Sequence, residues 1–90
     1  MEDVILEAGR FELYSGTVEN VKMTGGRFIQ DGGTAVTGAF VYEGGSFNSI
    51  YLGENGTFQN LSGAPVDADI NGAQVTVAYG STVDKNGTVM

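Results

Sequence analysis

The sequence predicts an all-β chain wound as a short β-solenoid of about five coils, each about 18 residues long. Three observations predict it. A glycine-marked repeat recurs at that period, the residues between glycines are β-formers, and no stretch can hold a helix.

The repeat is read from Gly9, Gly26, Gly45, Gly63 and Gly80, which lie 17, 19, 18 and 17 residues apart. The segments open GRF, GRF, GSF, GAP and GST, so Phe11, Phe28 and Phe47 share a column that Pro65 and Thr82 continue. A second, less regular glycine series (Gly16, Gly33, Gly56, Gly72, Gly87) implies an insertion near Leu52 to Asn55. Between the glycines stand FELY, VENV, RFIQ, AFVY, FNSIYL and VTVAY, of strand length and composition. The separators SG, TGG, DGG, EGG, ENG and NG suit turns. Any helix would carry interior glycines, each costing about 1 kcal/mol against alanine.

An antiparallel meander is the rival, since Asn55-Gly56, Asn71-Gly72 and Asn86-Gly87 are favoured hairpin pairs. Period decides. A meander does not require like residues one coil apart, whereas stacked coils about 4.8 Å apart put like on like. At each corner the chain bends sharply while neighbouring coils crowd any Cβ, which is why double glycines mark the steps. The chain reads as one domain over 1–90. Residues 1–8 form an N-terminal cap or edge strand, 9–79 the repeats, and 80–90 a partial terminal coil. The four rings Phe11, Phe28, Phe47 and Phe58 are expected in the core.

The GGT, GGS and NGT steps in VKMTGGRF, QDGGTAV, VYEGGSF and GENGTF resemble the AIDA-type repeats of bacterial autotransporter adhesin passenger regions. The resemblance covers about Gly9 to Gly63, with weaker echoes to Gly87. It implies a right-handed β-helix, display on a Gram-negative surface, and a role in adhesion and self-association. It also implies O-glycosylation at the matching hydroxyls Thr17, Thr34, Ser46, Thr57, Ser81 and Thr88.

The residue inventory bears on chemistry. The chain has no Cys and no His, which excludes disulfides, a Ser-His-Asp triad, a Cys-His pair and thiolate or imidazole metal sites. There is no G-x-x-x-x-G-K-[ST] or G-x-G-x-x-G loop, and Asp31 stands on the wrong side of its glycines for a calcium-binding nonapeptide. Asp67 and Asp69 share a strand face as an acid/base pair would, beside walls too short to make a catalytic groove. The N-x-[ST] matches at Asn55, Asn60 and Asn86 read first as turns. No enzyme activity, cofactor or metal is expected.

The formal charge is −7, from 11 acidic and 4 basic residues (Arg10, Lys22, Arg27, Lys85). With no basic cluster, direct nucleic-acid binding is not expected, nor is membrane insertion. The expected function is a non-catalytic surface-interaction module, binding protein or glycan or pairing with itself through an end coil. Candidate interface residues are Tyr42, Glu43, Tyr51, Glu54, Asp67, Asp69 and Tyr79. The alternative is a small acidic inhibitor of the phage anti-defence or anti-CRISPR kind. It would imitate nucleic-acid charge at a partner's basic site with Glu12, Asp31, Glu43 and Glu54 aligned. An adhesin fragment would be secreted or surface-bound; a complete gene product starting at Met1 would be cytoplasmic.

Overall fold

The computed structural model describes all 90 residues. It is all-β, a solenoid of about three turns closed at one end by antiparallel strands. The ten strands are β1 (Glu2–Leu6), β2 (Arg10–Leu13), β3 (Thr17–Met23), β4 (Arg27–Gln30), β5 (Ala35–Tyr42), β6 (Ser46–Phe47), β7 (Thr57–Asn60), β8 (Val66–Ile70), β9 (Ala73–Val77) and β10 (Thr82–Val83). One sheet runs β1-β3-β5-β7-β10, a second β2-β4-β6, and β8-β9 form a hairpin.

Like does sit on like. Phe11 is in register with Phe28 and Phe28 with Phe47, all through parallel pairs. Phe11 and Phe28 stack at 5.4 Å and 4°, while Phe28 turns its edge to Phe40, which stacks on Phe58. On the first sheet the inward column runs Val4, Val21, Phe40, Phe58, Val83. The two columns meet between the sheets, and Phe28, Phe40 and Phe58 have no exposed surface. Phe11 and Phe47, at the rims of their sheet, stay half-buried.

The uneven period has a local cause. The corner Asp31 to Thr34 holds one residue more than the corner Tyr14 to Gly16, so Leu13 pairs Gln30 but Thr17 pairs Ala35. A β-bulge then sets Asn20 against both Gly38 and Ala39, moving the register from Glu19–Thr37 to Val21–Phe40. Spacing therefore grows from 17 to 19 across one coil.

Gly26 and Gly45 are crowded by the coil on which each stacks, whereas Gly9 on the first coil has open space. The Arg27 N–H donates to the Gly9 carbonyl (2.8 Å) and the Ser46 N–H to the Gly26 carbonyl (3.0 Å). A Cβ on Gly45 would lie 2.6 Å from the Gly26 oxygen and 2.7 Å from Met23 Cε.

The five expected coils are reduced to three because the column fails after Phe47. Gly63 and Gly80 keep positive φ but stack on nothing. Pro65 precedes β8 without an N–H to give, and Thr82 pairs antiparallel with Gln59 instead of joining the Phe column. Asn71-Gly72, both at positive φ (49° and 87°), close β8 onto β9 as a two-residue hairpin. The rival reading is thus correct here, and again around Asn86-Gly87, where Val83 bridges Val89 antiparallel.

Side-chain amides join the hairpin and loops to the solenoid. The Tyr51 N–H donates to Gln30 Oε1 and Gln30 Nε2 returns a bond to the Tyr51 carbonyl. Asn71 does the same for Leu52, and Asn48 accepts from the Gln30 N–H. Asn60, fully buried, donates to the carbonyls of Ala64 and Val77 and accepts from Ser62.

Two glycines with nearly equal φ separate conformational strain from crowding. Gly63→Ala, at φ 93° with open space, should cost about 1 to 2 kcal/mol. Gly45→Ala, at φ 94°, must also displace the Gly26 carbonyl and should cost clearly more. Urea unfolding of the two variants checks the order, and equal losses would contradict the stacked corner.

Candidate protein-interaction surface

The solenoid's two ends are unlike. At one end β10 lies antiparallel on β7, and the β8-β9 hairpin is bridged to the stack at Ile50 and Ile70. At the other, β1 and β2 are terminal in their sheets, so their outer edges carry unpaired backbone donors and acceptors. The outward side chains there are polar or exposed: Ile5 is 67% and Tyr14 57% exposed.

Three features converge on β1. Glu2 and Glu19 are Cα partners, both exposed, and neither carboxylate forms an ion pair or hydrogen bond. Like charges in register on neighbouring strands destabilise a sheet. Second, Asp3, Asn20 and Gly38 form a column of positive φ (56°, 64°, 70°). Asn20 donates its amide to Asp3 Oδ1 (3.3 Å) and accepts from the Ala39 N–H (3.0 Å), filling the space a Cβ on Gly38 would need. Third, beside this column runs a shallow groove of about 350 Å³ lined by Ile5, Ala39 and Val41 with Asp3, Asn20 and Lys22 at its rim.

The residues singled out from sequence are dispersed. Tyr42 is a core residue, 9% exposed, its hydroxyl donating to the Gly45 carbonyl (2.7 Å). Glu43 pairs with Lys22 (3.6 Å) and Glu54 with Lys85 (3.1 Å). Tyr51 is half-buried, its backbone held by Gln30. Asp67 accepts from Thr76 within the hairpin, and Asp69 accepts the Gly72 N–H at its turn. Tyr79 is exposed on the segment between β9 and β10. Of the hydroxyls, Thr17, Ser46 and Thr88 are exposed and Thr57 and Ser81 half-buried; Thr34 is buried and bonds the Asp31 carbonyl.

Charge layout follows the same logic. Glu12, Glu43 and Glu54 are neutralised by Arg10, Lys22 and Lys85, so the row set out for phosphate imitation is left with Asp31 alone. The carboxylates without a cation or a hydrogen bond are Glu2, Glu7, Glu19 and Asp31, three of them on the first coil or the strand beside it. Glu2 and Glu19 were not found from sequence, because only the register brings them together. Their 17-residue separation, equal to Gly9 to Gly26, was the available signal.

No group of three or more His, Cys, Asp or Glu side chains converges as a metal would require. No helix is long and apolar enough to cross a membrane. Comparison with protein-family models, curated proteins and solved structures finds no match.

Tyr14, at the end of β2, reports on the first coil. Its phenol is raised above the ordinary 10.0, first by the neighbouring Glu12 carboxylate, which favours the protonated phenol, and then by desolvation. That contribution is complete below the ordinary value and is lost as pH rises through the raised one. In Glu12→Gln the Tyr14 ring carbon shift, followed by NMR, should titrate closer to the ordinary value. An unchanged titration would show that Glu12 is not the cause.

Proposed function

We propose that the protein is a non-catalytic interaction module that binds a protein partner through its first coil. The observation that carries the reading is the asymmetry of the ends: one is covered by antiparallel strands, the other leaves β1 and β2 open. An exposed strand edge is a template for another chain's backbone, and pockets between its side chains supply selectivity. The resemblance to adhesin passenger repeats supports the same class of function, since those act by the surface they present.

Imitation of nucleic acid finds less support, because the protein's own cations neutralise three of the four carboxylates in the expected row. Self-pairing through the first coil would bring two acidic edges together, each from a chain of charge −7.

A displayed peptide library selected against the full chain tests the proposal, with binding sites mapped by backbone amide shifts. Selected peptides should perturb Glu2 to Leu6 and Arg10 to Leu13. Binding confined to the hairpin end, or perturbations scattered over both sheets, would overturn it.

A further inference from the structure

We infer that the occupant of the open edge is a cationic extended strand of a partner protein, with Lys or Arg over Glu2 and an apolar residue over the Ile5 column. This rests on the interaction reading above and specifies its partner.

The argument begins with the rung already in place. β3 lies on β1 with Glu19 beside Glu2, Asn20 beside Asp3, Val21 beside Val4 and Lys22 beside Ile5. A strand added to the other edge of β1 continues the same columns about 4.8 Å further out. In the Glu2–Glu19 column it meets two carboxylates on adjacent rungs with no cation of the protein's own. A third carboxylate there adds repulsion, whereas an ammonium or guanidinium is attracted to both.

The next column points the same way. Asn20 passes its bonding on, donating to the rung above and accepting from the rung below. Asp3 has no N–H to pass on; one oxygen takes the Asn20 amide and the other has no hydrogen-bond partner. The arriving strand must therefore supply a donor, from its backbone, an amide or a cation. Two positions beyond, the 67% exposed Ile5 offers an apolar neighbour to the arriving strand. Backbone pairing supplies affinity, and these side-chain columns supply selection.

A second copy does not meet these demands. Its first coil would bring Glu2, Asp3 and Glu7, and its other end is closed by β10 and the hairpin.

The test takes the full 90-residue chain and the synthetic peptide TVKNVVMT, which is Thr17 to Thr24 with lysine at the Glu19 position and valine at the Lys22 position that falls over Ile5, against the glutamate parent TVENVVMT. The lysine peptide should shift the β1 amides and bind roughly tenfold tighter than the parent, with affinity falling as salt rises. The Glu2→Gln/Glu19→Gln variant alters only exposed side chains, and its fold is checked by circular dichroism. It should lose most of that difference between peptides. Equal binding of the two peptides, a salt-independent preference, or a concentration-dependent dimer in sedimentation would overturn the inference. If library-selected peptides map to the first coil yet are apolar or acidic, the interaction reading survives and the cationic partner falls. If nothing binds the first coil, both fall.

Discussion

The structure depends on parallel backbone pairing between successive coils, held in register at the corner where Gly9, Gly26 and Gly45 lie one above another. The Gly9 and Gly26 carbonyls take an N–H of the next coil at 2.8 and 3.0 Å, and that closeness leaves no volume for a Cβ on Gly26 or Gly45. Once the corners coincide, side chains 17 to 19 residues apart must coincide as well. The core follows from that. Phe28 meets Phe40 because two registers, one per sheet, deliver them to the same level, and burial of such rings is the main source of stability in so small a domain.

Stacking of this kind has no natural end, and the chain ends it by changing its chemistry. After Phe47 the aromatic column stops, and amide side chains take over the pairing. Gln30 bonds both backbone groups of Tyr51, and Asn71 both of Leu52. An amide carries one donor group and one acceptor, as a peptide unit does, so it satisfies a buried rung where no strand is available. No buried side-chain nitrogen or oxygen is left without a partner. The hairpin and β10 then present antiparallel strands where a fourth full turn would have begun.

How much of this was legible depends on whether the signal is local or needs the register. The Phe11, Phe28, Phe47 column and the corner glycines were readable because a solenoid writes its geometry as a period. The extent was not. Gly63 and Gly80 keep the period and the positive φ, but a turn glycine outside the stack looks the same in sequence as one inside it. Asn71-Gly72 was legible as a hairpin pair; that the Asn71 side chain also spans to Leu52 was not, because the contact crosses 19 residues. Tyr42 and Glu43 stand side by side, and residue type alone suits both to a surface. The pleat turns the first inward and leaves the second half-exposed against Lys22.

The same distinction explains why the open edge escaped a reading by residue type. Glu2, Asp3, Glu19 and Asn20 are each unremarkable in composition, and only superposition of two coils makes Glu2 and Glu19 a like-charged pair and Asp3 the end of an amide column. In a stacked fold, a polar ladder ends where its last group meets solvent, or is continued by another strand. Asp3 receives from Asn20 and keeps one oxygen free beside an unpaired acidic rung. On the proposed reading, termination and recognition fall to the same few atoms: a carboxylate end repels a further acidic strand and attracts a cationic one. Selectivity of that kind needs no pocket deep enough to enclose a ligand, only a column whose next member is specified by the two already present.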